Sequence, residues 1–126
     1  MKYYDLAIQL APQAIEPKLG RLLPLLADTK YAEAQSTAEQ VVRGDPVNYY
    51  GNLRLAFALR MQGRFAAAEQ VVHRMLAAYP ADISLLLESG LLDAAQGRAD
   101  AARETFAEVL SLDPTNALAK QSAVQP

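Results

Sequence analysis

The sequence predicts an all-α protein, an α-solenoid of stacked helix–turn–helix repeats, and three observations support this prediction. Apolar residues recur at steps of three and four along successive stretches, which is helical periodicity. The tripeptide Gln-Gly-Arg occupies residues 62–64 and again residues 96–98. Proline recurs at the same interval, at Pro12, Pro46, Pro80 and Pro114. A fixed period of about 34 residues is typical of repeats that each cover one face of the next.

The clearest repeat spans residues 49–82 and contains two helices. Asn48 is a suitable N-cap for the first helix, because its side chain can accept a hydrogen bond from the first turn. Gly63 ends that helix, since glycine tolerates the left-handed backbone that helix ends often adopt. A second helix begins near Phe65, and Pro80 closes it. The repeat is therefore predicted to be a helical hairpin.

Two further repeats follow the same order of signals. Residues 83–116 form a second copy, in which Gly97 separates the two helices. Residues 15–48 form a looser copy, because their first helix contains two prolines. Pro17 suits a first helical turn, whereas Pro24 removes a backbone hydrogen bond and is expected to kink or shorten the helix.

The second helices of the three repeats are expected to bury an apolar stripe that stays in phase. Its members are Ala34, Ala38, Val41 and Val42, then Ala68, Val71, Val72, Met75 and Leu76, then Ala102, Phe106, Val109 and Leu110. The alanines at 34, 68 and 102 are expected where two helices approach closely.

The ends of the chain are interpreted as parts of repeats. Residues 1–14 align with a second helix and form a partial repeat, and residues 117–126 align with the start of a further first helix. We predict one domain over residues 1–126, and we expect it to be a piece of a longer array.

Composition excludes several classes of function. The formal net charge is −2, so there is no basic field for nucleic acid. The chain has no cysteine and therefore no thiolate metal site. No apolar run reaches the roughly 18 residues of a membrane-spanning helix. We expect a soluble, cytoplasmic or periplasmic protein that binds no nucleic acid and does not insert into a membrane. The 8 arginines against 4 lysines favour a bacterial source.

Catalytic chemistry has little support in the sequence. His73 is the only histidine, and Glu69 lies one helical turn before it. An acid–base pair also needs a pocket and a third group, and the buried stripe of this helix places His73 largely outward. One histidine with scattered carboxylates makes no metal cluster. We predict no catalytic residues, no metal, no cofactor and no enzymatic activity.

The repeated residues resemble the tetratricopeptide repeat family, whose units are 34-residue helix–turn–helix hairpins. The matching positions are Ala68, Val72, Met75 and Pro80, then Ala102, Phe106, Val109 and Pro114, with Tyr31 and Phe65 as the aromatic residues that open second helices. Leu55-Ala56 and Ser89-Gly90 stand where the family has a Leu-Gly pair.

This sequence also departs from the family pattern. Asn52 replaces the opening aromatic residue, and Leu59 and Asp93 occupy the tyrosine position. The first full repeat departs most, with Lys18, Arg21 and Leu22 at key positions of its first helix.

The resemblance implies a right-handed superhelix in which the first helices line a concave groove for a protein or peptide partner. The stripe that would face this groove comprises Glu16, Leu19, Leu23 and Leu26, then Tyr50, Leu53, Phe57 and Arg60, then Ser84, Leu87, Leu91 and Ala94. We predict that the partner, an amphipathic helix or an apolar extended segment, contacts Leu19, Leu23, Tyr50, Leu53, Arg54, Phe57, Arg60, Leu87 and Leu91. Of the positions that form a carboxylate clamp in some family members, only Arg54 is suitable here.

Several alternatives remain open. Leu19, Leu53 and Leu87 are equally well explained as core residues. The in-phase cations Lys30, Arg64 and Arg98 form either a basic edge or solvated turns. An alternative function is that of a domain appended to an enzyme, such as a glycosyltransferase or a hydroxylase. Exposed apolar ends would also allow copies to self-assemble.

Overall fold

The structure, a computed structural model, describes residues 2–123, and every regular element in that range is an α-helix. The helices are α1 (Lys2–Leu10), α2 (Glu16–Ala27), α3 (Tyr31–Gly44), α4 (Tyr49–Met61), α5 (Phe65–Ala78), α6 (Ile83–Ala95), α7 (Ala99–Leu112) and α8 (Ala117–Ala123). The all-α prediction is confirmed. The predicted start of a further helix is α8, and residues 124–126 lie outside the described residues.

Two compact units make up the chain: unit 1 extends to Arg64 and holds α1–α4, and unit 2 begins at Phe65 and holds α5–α8. In unit 1, α3 packs between α2 and α4. The buried apolar residues of these three helices are Leu22, Leu25, Ala34, Ala38, Val41, Leu55, Ala56, Ala58 and Leu59. In unit 2, α6 packs against α5 and α7. The organisation of residues 1–126 as one domain stays a prediction.

Most of the predicted stripe of the second helices is buried, whereas Val42, Leu76 and Leu110 are only partly buried. Ala34, Ala68 and Ala102 are at most 4% exposed, as close helix contacts require. In unit 2, the ring of Phe106 lies in a cluster with Leu86, Ala102, Val109 and Ala119.

Side-chain caps begin three of the helices, at equivalent positions of successive repeats. The Oδ1 atom of Asn48 accepts a hydrogen bond from the Gly51 amide at 2.8 Å, and Oδ1 of Asp82 accepts one from the Leu85 amide at 2.9 Å. Asn116 caps α8 in the same way. These caps satisfy backbone donors that have no partner within the first turn.

The turns inside the hairpins share a left-handed residue. Gly63 and Gly97 have φ angles of 76° and 79°, as predicted for helix ends. Thr29 occupies the equivalent place in the first hairpin with φ of 57°. The turn geometry therefore repeats even where the glycine is missing.

Pro24 has a smaller effect than expected. Helix α2 continues through this proline to Ala27 and has 12 residues, one fewer than α4 or α6. The ring removes one hydrogen bond, but three more residues follow in helical conformation. Pro17 lies in the first turn, as predicted.

A buried polar side chain ties the proline loop to the first helix in two repeats. Asn52 is fully buried, and its Nδ2 atom donates to the carbonyl oxygens of Pro46 at 3.1 Å and Asn48 at 2.8 Å. Lys18 occupies the equivalent position in the preceding repeat, and its ammonium donates to the carbonyl oxygen of Pro12. The polar residues at this position of the two repeats thus hydrogen-bond to the preceding loop.

Candidate functional site

Four of the predicted partner-binding residues meet in one open cleft of unit 1. Helix α2 contributes Leu19 and Leu23 on either side of Gly20, and α4 contributes Tyr50 and Arg54. The cleft has a volume of about 280 Å³. Leu23 is 57% exposed and Tyr50 is 59% exposed, which is high for large apolar side chains. The cleft therefore presents apolar surface to solvent.

The position of Tyr50 follows from the start of α4. The Asn48 cap sets where this helix begins, so Tyr50 lies in its first turn. The ring of Tyr49 meets the ring of Tyr50 edge to face, with centroids 5.1 Å apart. This contact supports the ring at the mouth of the cleft.

Arg54 adds a positive charge to the apolar cleft. In the described part of the chain, its guanidinium has neither a hydrogen-bond acceptor nor an ion-pair partner. A guanidinium presents several donors in a planar fork that matches a carboxylate. The cleft therefore combines apolar walls with a cation that a ligand can pair.

Phe57 and Arg60 form a second group further along α4. The ring of Phe57 meets the ring of Tyr31 from α3, with centroids 6.1 Å apart. The Cζ atom of Arg60 lies 5.2 Å from the Phe57 ring centroid, within the range of a cation–π contact. Both side chains are partly buried. Phe57 thus contributes to the contact between α3 and α4 and still has an accessible face.

The remaining predicted residues lie elsewhere. Leu53 is partly buried on α4. In unit 2, Leu87 and Leu91 pack partly against the cluster around Phe106, and Leu91 also lines a cavity with Ala94. The two leucines of α6 therefore contribute to the core of unit 2 and remain partly accessible.

The neighbourhood of His73 is a polar cavity of about 300 Å³ in unit 2, also lined by Ser89. His73 itself is exposed. Glu69 accepts a hydrogen bond from Nε2 of Gln96 at 2.6 Å and forms an ion pair with Arg98. These contacts, with the bond from Gln96 the largest, lower the pKa of Glu69 below its ordinary value of 4.5.

Arg98 is exposed in the turn between α6 and α7, as the solvated-turn alternative expects, and it also forms ion pairs. Its guanidinium pairs with Glu69 and also with Asp93, whose Oδ1 lies 3.0 Å from Nε. The sequence signal for this network is the repeated Gln-Gly-Arg tripeptide, which places a glutamine at the same point of two successive repeats. Gln62 donates to Oε1 of Gln35 at 2.8 Å, and this pair is the equivalent, one repeat earlier, of the Gln96–Glu69 pair.

The described residues carry neither a membrane-spanning helix nor a metal-binding cluster. None of their helices has the length and apolarity needed to cross a membrane. They also include no group of three or more histidine, cysteine, aspartate or glutamate side chains suited to a metal ion.

Comparison with known proteins places this geometry in context. Residues 25–88 match the sequence model of the tetratricopeptide repeat. Among curated proteins, none matches the chain by sequence. Solved structures do match it. MamA 41-end from Desulfovibrio magneticus RS-1 superposes with a TM-score of 0.87 at 20% identity, over 97% of this chain and 69% of that one.

Two further solved structures also share the fold. The first TPR of Spaghetti (RPAP3) bound to HSP90 peptide SRMEEVD has a TM-score of 0.81 at 22% identity, over 88% of each chain. YrrB, a TPR protein with an unusual peptide-binding site, has a TM-score of 0.79 at 24% identity, over 97% of this chain and 63% of that one. These matches confirm the predicted fold class, an all-α solenoid of helix–turn–helix repeats.

Proposed function

The chain belongs to the tetratricopeptide repeat family, and from this premise we propose that it is a non-catalytic module that holds a protein partner in a groove. The fold is typical of protein–protein interaction modules. The observation that carries the proposal is the cleft between α2 and α4, where Leu23 and Tyr50 are exposed beside Arg54.

The partner segment is a peptide or helix with a large apolar side chain at its centre. Such a side chain enters the cleft between Leu19 and Tyr50, because burying apolar surface contributes about 25 cal/mol per Å². Tyrosine, phenylalanine and arginine are the types that most often carry binding energy at interfaces. The groove continues along α4 over Leu53 to Phe57.

Leu87 and Leu91 make a second proposed contact, in unit 2. Their partial exposure on α6 leaves apolar atoms accessible to a partner. The cleft in unit 1 is the anchor, because its apolar side chains are more exposed and stand beside a cation.

The test uses a peptide selected on the whole chain from a displayed random library. Its affinity is measured by fluorescence anisotropy for the wild type and for the Phe57→Ala/Arg60→Ala and Tyr50→Ala variants. We expect each variant to weaken binding about tenfold or more, because each truncation removes an aromatic part of the proposed contact surface.

The matched control is Tyr79→Ala, which truncates a tyrosine that is 44% exposed outside the cleft. It is expected to leave the affinity unchanged. Circular dichroism of each variant establishes that it is folded. A folded Phe57→Ala/Arg60→Ala protein that binds with wild-type affinity would end the proposal.

Self-association is a second candidate function, supported by helix α1. Tyr3, Leu6 and Leu10 follow helical steps on one face, and they are 76%, 56% and 78% exposed. Light scattering over a concentration series tests this candidate, and a monomer at every concentration removes it. The role as an appended domain of an enzyme stays a prediction that the sequence of the parent gene would test.

A further inference from the structure

A second cavity of unit 1 differs in chemistry from the cleft and shares no lining residue with it. It has a volume of about 370 Å³ and lies where the Pro12 loop meets α2 and the end of α3. Its polar lining residues are Gln13 and Lys18 from the loop and α2, and Gln40 and Arg43 from α3. This cavity is therefore a place where four hydrogen-bond donors converge.

The side chains that line this cavity carry a net positive charge, in contrast to the chain as a whole. Two of its lining residues are cations and none is a carboxylate, although the formal net charge of the protein is −2. Within the described residues, the guanidinium of Arg43 has no ion-pair partner. The cavity thus carries two positive charges that no lining side chain compensates.

Lys18 is the second observation, because the residue is largely buried and lines the cavity. The residue is 8% exposed, and its ammonium has one acceptor among the described residues, the Pro12 carbonyl oxygen. An ammonium group has three donors, and burying a charge is costly unless it is paired. An anion in the cavity would supply the missing charge and acceptors.

The loop contact by itself does not require a charge at this position. Asn52, the equivalent residue in the next repeat, holds its proline loop with a neutral carboxamide. Leu86 stands at the same place in the third repeat and is apolar. The fold therefore does not require a charged side chain at Lys18.

We propose that this cavity binds a phosphoryl group, either of a small phosphate ester or of a phosphorylated side chain. A phosphate monoester carries about −1.5 to −2 charges at neutral pH, which balances Lys18 and Arg43. Its oxygens accept charge-assisted hydrogen bonds from the ammonium and the guanidinium. The carboxamides of Gln13 and Gln40 supply further donors.

The experiment titrates the isotope-labelled full chain with inorganic phosphate at constant ionic strength and follows the Gly44 amide and the Gln13 and Gln40 side-chain amides by NMR. We expect saturable shifts confined to these groups. Lys18→Gln and Arg43→Gln are each expected to raise the Kd about tenfold or more, since each removes a charge-assisted bond. The matched control, Arg64→Gln, removes a cation outside the cavity and should leave the Kd unchanged.

Further titrations distinguish a phosphorylated protein from a small phosphate as the ligand, and they define the results that would overturn the proposal. A phosphoserine peptide that binds more tightly than phosphate assigns the site to a modified protein, whereas equal affinity assigns it to a small phosphate. Acetate that binds as well as phosphate, linear shifts without saturation, or an equal loss in Arg64→Gln would overturn the proposal. Arg43 is exposed, so its variant decides the matter even if Lys18→Gln is unstable.

Discussion

Replacing Gly90 by alanine tests the packing of unit 2 most directly. Gly90 lies inside α6, and a Cβ atom added there would be 2.7 Å from both Cε1 and Cζ of Phe106. Carbon atoms in good contact are about 3.5–4.0 Å apart, so the overlap is on the order of 1 Å. The Phe106 ring is 2% exposed and is enclosed by Leu86, Ala102 and Val109. It therefore cannot move away without disturbing the cluster.

Two opposing contributions determine how much Gly90→Ala changes the free energy of unfolding. Overpacking a well-packed core costs about 1–3 kcal/mol, and the overlap at Gly90 favours the upper part of that range. Alanine gains about 1 kcal/mol over glycine in a helix interior. We expect Gly90→Ala to lower the free energy of unfolding by about 1–2 kcal/mol, which corresponds to a fall in Tm of about 3–8 °C.

The assay is urea denaturation followed by far-UV circular dichroism, with Gly44→Ala as the matched control. A Cβ atom at Gly44, the last residue of α3, would be 3.9 Å from Cδ1 of Ile15, an ordinary contact. The control is therefore expected to be neutral or to stabilise the protein by up to about 1 kcal/mol. If Gly90→Ala is as stable as Gly44→Ala, the reasoning about the Phe106 contact is wrong.

Two further predictions concern a turn and an ion pair. Thr29→Gly should stabilise the protein by about 0.5–1 kcal/mol in urea denaturation, because a left-handed conformation costs a non-glycine residue about 1–2 kcal/mol and glycine loses part of that gain in chain entropy. Asp28→Gly, at an ordinary φ of −87°, should destabilise the protein, and a gain there would contradict the argument. Glu69→Gln should lower the Tm more at pH 7 than at pH 3. The folded-state pKa of Glu69 lies below its unfolded value of about 4.5, so its stabilisation exists above that pH and is lost as the pH falls through the folded pKa. An equal difference in Tm at both pH values would show that the charge contributes nothing.

Much of the local structure could be predicted because it depends on neighbours in the chain. The side chain of Asn48 caps the helix that follows it. Gly63 adopts a left-handed conformation because glycine has no Cβ atom to oppose it. The apolar stripe with Ala68 at its centre is readable because helical periodicity places those residues on one face. These elements depend on interactions that span a few residues.

The candidate site was only partly predictable. The three-and-four spacing places Leu19 and Leu23 on one face, but it does not show that Tyr50 and Arg54 from another helix join them in a cleft. The partner of Phe57 is Tyr31, which lies in a different helix. The periodicity of the first helices did not distinguish groove residues from core residues, because both are apolar.

By itself, the sequence determined the helices of this protein, their caps and turns, and the faces that they bury, since each repeat carries the same short-range signals. The tertiary structure decided which polar groups meet. It gave Arg98 two carboxylate partners, buried Lys18 against the Pro12 loop, and placed Arg54 beside exposed apolar residues with no ion-pair partner among the described residues. The physical reason is that these contacts depend on where the fold places each side chain. Arg98 and Glu69 are 29 residues apart in the chain, and the energies of the shorter-range contacts depend on burial and geometry that no local pattern encodes.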